Sequence, residues 1–288
     1  MKESTASRVW FITGTSTGFG RLLTEELLKR GERVIATARD ISKLSGLVSQ
    51  YPEQIRVFTL DVTKPDEITS VAQQAISTFG QVDILVNNAG YGVTGAIEEV
   101  GEEEFEHMFQ SNLYGVIRVT RAFLPHFRQR RSGHIFNLSS IGGLIGAPGW
   151  GFYNTTKFAV EGFSEALAGE MKPLGVRVTV VEPGAFRTDF LGRSGQLAQR
   201  EISDYASTAG KSREYLKTQS GKQPGDPRKA VEAIITVADS PEPPVHLILG
   251  KIALERFRQK IADWQKGIAE WESVTTGADF PEESKAAD

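Results

Sequence analysis

Short apolar runs recur along the chain, and between them apolar residues return at helical spacing. The runs are Val9–Ile12, Arg33–Ala38, Arg56–Leu60, Asp83–Val86, His134–Leu138, Val176–Val181 and Val245–Leu249. Each has the length of a strand buried on both faces. After the first run, Leu22, Leu23, Leu27 and Leu28 mark one face of a helix. Alternation of strand and helix predicts parallel strands joined by right-handed crossovers. The expected class is therefore α/β, a doubly wound parallel sheet of about seven strands in a single domain over residues 1–274. Such a sheet binds ligand beyond the C-terminal ends of its strands, where the strand order reverses.

Two segments depart from this alternation. Residues 188–227, Thr188 to Pro227, form a long polar stretch with helix-like patches at Gln196–Tyr205 and Arg213–Lys217. Long loops in compact domains are commonly functional, and a substrate lid is expected here. Residues 253–271 place Leu254, Phe257, Ile261, Trp264, Ile268 and Trp271 on one face, an amphipathic helix expected to pack against the edge of its own core. The acidic, proline-containing residues 275–288 read as a mobile tail.

Composition narrows the function. The net charge of −3 gives no basic footprint for nucleic acid. The chain has no cysteine, which excludes disulfides and thiol catalysis and fits a reducing, cytoplasmic setting. Its four histidines form no ligand-like pairs, so no metal site is expected. No apolar run approaches the length of a membrane span. Met1–Arg8 is polar and lacks a secretory apolar segment.

The candidate chemistry lies in Tyr153-Asn-Thr-Thr-Lys157, with Ser140 upstream. On a helix, positions i and i+4 share a face. A lysine charge beside a phenol favours the phenolate and makes tyrosine a usable general acid or base. Ser140 offers a hydroxyl that can hold a carbonyl or alcohol oxygen near that phenol. A strand, a loop Thr13-Gly14-Thr15-Ser16-Thr17-Gly18-Phe19-Gly20 and a helix follow one another at the N-terminus. Glycines there let backbone N–H groups approach a pyrophosphate at a helix start.

The Gly-x-x-x-Gly-x-Gly spacing, Asn87-Asn88-Ala89-Gly90, Ser139-Ser140, the Tyr153–Lys157 pair and Pro183-Gly184 occur in the order of the short-chain dehydrogenases/reductases. Over residues 8–190 the chain resembles that family, which implies a Rossmann-like fold. The resemblance implies that Tyr153 is the proton donor or acceptor and that Lys157 lowers its pKa and binds the nicotinamide ribose. It selects Ser140 over Ser139 and gives Asn112 a water that links Lys157 to solvent. It places the cofactor on Gly14, Ser16, Gly18, Phe19, Gly20, Asp61, Val62, Asn87, Ala89, Gly90, Pro183, Gly184, Phe186 and Thr188. A homodimer or homotetramer remains open, because a C-terminal helix departs from the family's usual glycine-ended tail.

At the end of the second strand, NAD enzymes of this type carry Asp or Glu, whereas the 2′-phosphate of NADP calls for a cation. Here the residues are Ala38 and Arg39, and Asp40 is read as a cap for the turn that follows. NADP (NADPH) is the expected cofactor. Tyr91, Val93, Leu144, Trp150, Phe152, Phe190 and Leu191 lie in the loops that should wall the substrate pocket. Their apolar character suggests a hydrophobic ketone or secondary alcohol. A non-catalytic NADP sensor, or an epimerase or dehydratase, is the alternative on the same fold.

Overall fold

The apolar runs pair into one parallel sheet in the computed structural model, which describes residues 7–280. The strands are β1 (Val9–Thr13), β2 (Arg33–Ala38), β3 (Ile55–Thr59), β4 (Ile84–Asn87), β5 (Gly92–Thr94), β6 (Gly133–Leu138), β7 (Val176–Pro183), β8 (Gly195–Leu197) and β9 (His246–Leu249). The helices are α1 (Gly18–Lys29), α2 (Ser45–Gln50), α3 (Pro65–Phe79), α4 (Glu102–Phe109), α5 (Gly115–Arg130), α6 (Gly151–Met171), α7 (Ala209–Thr218), α8 (Pro227–Ala238) and α9 (Lys251–Thr276). The seven-stranded sheet runs β3-β2-β1-β4-β6-β7-β9. It is the doubly wound, Rossmann-like arrangement expected, and its order reverses between β1 and β4.

Side chains of β1 show why both faces must be covered. Trp10 and Ile12 point into a core shared with Leu23, Leu27, Val231 and Ile235 of α1 and α8. Val9 and Phe11 point the other way, into a core with Val71, Val119, Phe123 and Leu167 of α3, α5 and α6. A strand buried on both faces has no polar side to show, which is why it reads as a continuous apolar run.

Two details escaped the apolar pattern. β5 and β8 form a separate two-stranded parallel sheet, with Val93 opposite Gln196. Between α4 and α5, Gln110–Tyr114 is a π-helical turn. Both lie beside the crevice. The small sheet also changes the picture of residues 188–227. The patch Gln196–Tyr205 is a strand and a turn rather than a helix, while Arg213–Lys217 falls within α7.

A buried ion pair fastens this segment to the body. Arg213 donates to Glu99 at 3.1 Å, and to the carbonyls of Ala198 and Arg200. Glu99 also accepts from the amides of Ala96 and Ile202. The middle of the segment is thus bolted down, and only its two flanks are free of this anchor.

The structure corrects the expectation for the C-terminal helix. α9 is longer than the expected 253–271, and only Ala253 of it is buried. Its apolar stripe faces outward rather than onto the core edge. Helix also extends into the region read as a tail, through Thr276, and residues 281–288 of that tail lie outside the described residues. No helix among the described residues is long and apolar enough to cross a membrane.

Arg213→Leu should leave Glu99 buried without its counter-charge, at a cost of about 3–5 kcal/mol. Chemical denaturation should show that loss, and hydrogen exchange should speed up across residues 195–213. A stability change below about 1 kcal/mol would mean that the pair does not anchor the segment.

Candidate active site

A crevice of about 840 Å³ opens beyond the C-terminal ends of the strands. On one side it is floored by the loop after β1, and on the other by the loops after β4, β6 and β7. Ser140, Tyr153 and Lys157 all line it.

Their positions follow from the local chain. Ser140 leaves β6 in extended backbone and caps a short turn, its hydroxyl accepting from the Gly142 amide at 3.0 Å. The same hydroxyl is close enough to the Tyr153 phenol to favour its ionised form. Ser139 turns inward, toward the Glu161 carboxylate. Tyr153 and Lys157 lie one turn apart on α6. The Lys157 ammonium donates to the Leu138 carbonyl at 2.8 Å and lies 5.7 Å from the Tyr153 ring centre.

The electrostatics differ from the expectation. Burial pushes the Tyr153 phenol up to about 12, against the hydrogen bond from Ser140. Burial pulls Lys157 down to about 8, against the attraction of Glu161. Lys157 directs its hydrogen bond to the main chain, and burial dominates the shift of the phenol. Tyr153 is therefore a protonated acid near neutral pH, and the lysine is a charge close to its own titration.

Asn112 lies in the π-helical turn and is fully buried. Its amide donates to the Tyr91 carbonyl at 2.7 Å and its oxygen accepts from the Tyr91 amide at 3.0 Å. π turns favour such sites because they break the regular ladder and re-aim one side chain. The side chain clamps the loop after β4 and does not line the crevice.

The dinucleotide lobe gathers most of its expected residues. Gly14, Ser16, Gly18, Phe19, Arg39, Asp61, Val62, Ala89, Gly90, Pro183, Gly184, Phe186 and Thr188 line the crevice. Gly20 and Asn87 do not. A Cβ on Gly20 would lie 2.5 Å from the Gly14 carbonyl oxygen, so this glycine serves the packing of α1 under the loop. Asn87 is buried and donates to Thr120 and Asn137, in a polar chain that runs on to Ser164. Its neighbour Asn88 lines the crevice instead.

At the adenosine end, Asp40 accepts from the Ser42 amide and hydroxyl, the capping role expected of it. Arg39 is exposed, close enough to Asp61 to favour its ionised form. Burial works to raise the Asp61 carboxyl, but hydrogen bonds from Thr63 and the Arg39 charge outweigh it. A glycine turn into a helix start and open crevice space beside it fit a pyridine dinucleotide.

On the substrate side, Tyr91, Trp150, Phe190 and Leu191 line the crevice, and Val93, Leu144 and Phe152 do not. Val93 points into a small core with Val100 and Met108. Phe152 stacks on Phe105 at 4.5 Å. Leu144 offers its carbonyl to Lys260 of α9. Val93 lies in β5 and Phe152 in α6, whose faces decide which way they point, and Leu144 lies in a loop with no periodicity to read. Sequence reasoning passed over Arg193, which reaches from the crevice rim to Thr17 of the glycine loop at 3.4 Å.

Outside the crevice, the fold brings Glu161, Glu182 and His246 together from α6, β7 and β9, close enough to one another to share a metal ion. Their spacing in sequence gave no hint of this. His246 lies 2.7 Å from Glu182, a hydrogen-bond separation.

A family model described as short chain dehydrogenase matches residues 8–198. Oxidoreductase BOA17 of Botryotinia fuckeliana is 41% identical over 252 residues, 86% of this chain and 91% of that protein. The 3-ketodihydrosphingosine reductase of Bacteroides thetaiotaomicron is 36% identical, over 87% of this chain and 90% of its own. A solved short-chain dehydrogenase from Streptomyces avermitilis superposes with a TM-score of 0.90 at 40% identity, covering 96% of this chain and 100% of that one. ElxO with NADP bound follows at 0.73 and 26% identity, over 86% and 99%. With this sheet, this crevice and these relatives, the chain belongs to the short-chain dehydrogenase/reductase family of pyridine-nucleotide oxidoreductases.

Proposed function

We propose that this protein is an NADP(H)-dependent carbonyl reductase or alcohol dehydrogenase acting on a hydrophobic ketone or secondary alcohol. The observation that carries this reading is the meeting of Ser140, Tyr153 and Lys157 on an open crevice, with the Lys157 ammonium 5.7 Å from the Tyr153 ring centre. Nicotinamide, when bound, supplies or accepts the hydride. Ser140 then donates a hydrogen bond to the substrate oxygen, and Tyr153 transfers its proton to that oxygen as the carbonyl is reduced. The Lys157 charge stabilises the phenolate left behind. The Asn112 side chain is engaged by Tyr91 and Thr156, and its amide oxygen, which accepts one bond, can accept a second from a water that links Lys157 to solvent.

The apolar wall of Trp150, Phe190 and Leu191 supports a hydrophobic substrate. Trp150 and Phe190 stack at 6.2 Å, and Tyr153 packs against both. A related protein named for reduction of a ketosphingosine points the same way.

Tyr153→Phe keeps the ring and removes the acid. Turnover of hydrophobic ketones, followed at 340 nm, should fall by about 10² or more while cofactor binding survives. In the wild type, reduction should slow as pH rises through about 8, where Lys157 loses its charge and the phenolate loses its support. The sign for stability is opposite: the folded chain holds fewer protons on Lys157 than the unfolded one above that pH, so Lys157 makes folding more favourable there. Full activity in folded Tyr153→Phe protein, or a profile flat through pH 8, would count against these roles.

Arg39→Ala removes the cation expected to meet the 2′-phosphate. NADPH affinity should drop roughly 10- to 100-fold, with NADH nearly unaffected. Equal losses for both cofactors would show that Arg39 does not read the phosphate.

Residues 188–227 serve in this reading as a cover, hinged on either side of the Arg213 anchor. Phe190 and Arg193 belong to the first flank and Gln223 to the second, and all three line the crevice. Closing a loop costs entropy, which apolar contact with substrate offsets. Hydrogen exchange should slow over residues 188–194 and 219–226 when NADPH and a ketone inhibitor are added together. Unchanged exchange in both flanks would leave the segment a surface excursion.

A further inference from the structure

α9 is a single helix of 26 residues, roughly 39 Å long at 1.5 Å per residue. Its first turns touch the body. Ala253 packs over Gly184, and the Lys260 ammonium lies over the Phe158 ring at 4.9 Å. Beyond Lys260 the helix is exposed, and it carries large apolar residues outward: Ile261 is 40% exposed, Trp264 64%, Ile268 62% and Trp271 63%. Exposed aromatic and β-branched side chains in such number mark a contact surface.

The spacing says what kind of surface it is. Leu254, Phe257, Ile261, Trp264, Ile268 and Trp271 alternate by three and four residues. Two apolar residues per heptad make the narrow seam of one helix against another, whereas a helix lying on a core needs a wider face. Charge is divided along the same helix. Lys251, Arg256, Arg258 and Lys260 lie in its first half against Glu255, and Asp263, Glu270 and Glu272 in its second half against Lys266.

We propose that α9 pairs antiparallel with α9 of a second copy of this chain, about a two-fold axis near Ile261 and Trp264. Antiparallel pairing sets each basic half against the acidic half of the other copy, and parallel pairing sets like against like. With Ile261 packed on Trp264 and Leu254 on Trp271 across the axis, Lys251 of each copy comes beside Glu272 of the other. An anionic lipid surface would repel the acidic half and leave the narrow seam poorly buried.

Sedimentation velocity on the full-length chain tests this. Ile261→Asp with Ile268→Asp, both at exposed positions, should halve the particle mass while circular dichroism and NADPH binding stay as in the wild type. Lys251→Glu should weaken self-association roughly tenfold, and adding Glu272→Lys should restore it. Because the chain has no cysteine, introduced thiols report alone. Lys251→Cys mixed with Glu272→Cys should form a disulfide-linked pair, and neither should do so by itself. A monomeric wild type, an unchanged mass in the double aspartate variant, or equal cross-linking by each single cysteine would overturn the proposal. So would wild-type protein that co-sediments with phosphatidylserine vesicles through Trp264 and stays monomeric in solution.

Discussion

Where β1 and β4 diverge, one side chain closes the gap on which the crevice depends. The Asn88 amide donates to the carbonyls of Thr13 at 2.8 Å and Gly14 at 3.0 Å. The Thr13 hydroxyl in turn accepts from the backbone amides of Asn88 and Ala89. Loops from two strands are thus locked to one another at the point where helices leave for opposite faces. The lock has a steric condition. Gly14 has φ of +71°, and a Cβ there would stand 2.9 Å from the Ala89 Cα. A left-handed backbone pressed against a neighbouring main chain is a place only glycine fills without strain. The glycine loop can point its amides into the crevice because Asn88 and Gly14 take up the polar and steric cost of the close approach.

The sheet was legible because burial on both faces erases polar positions from its strands. The main strands fall within a residue or two of the apolar runs. The pair β5–β8 was not legible, since strands of three residues carry no period and their partner is about a hundred residues away in the chain. The same logic separates Asn87 from Asn88. A motif fixes which residues occur, but a strand alternates its faces, so one asparagine enters the core and the next meets the crevice. α9 was legible as a helix and misread as a core element, because periodicity reveals that an apolar face exists and is silent about what covers it.

The acid and its lysine show the limit of pairwise reasoning about charge. Spacing alone places an ammonium near a phenol and suggests a lowered pKa. In the folded chain both groups are taken out of water, and desolvation acts on each before either acts on the other. The phenol moves up and the ammonium down. The phenol therefore keeps its proton near neutral pH, and Lys157 is the group whose charge is adjustable there.

What keeps Lys157 adjustable lies one turn further along α6. Glu161 follows Lys157 by four residues and, fully ionised, would hold the ammonium charged. Glu161 is itself buried beside Glu182, with no backbone N–H reaching its carboxylate. Two carboxyls in one dry site cannot both ionise, and burial raises them. The pair therefore retains a proton to higher pH than free carboxyls do. By the linkage rule its contribution to stability is full below the ordinary carboxyl range and declines as pH rises through the raised values. A half-neutral pair offers Lys157 only part of the attraction that two carboxylates would. His246, with Glu165 3.4 Å from its other ring nitrogen, stands between this pair and solvent. The charge on the lysine is thus set first by burial and then by Glu161, whose own ionisation depends on the packing of α6 on β7 and β9.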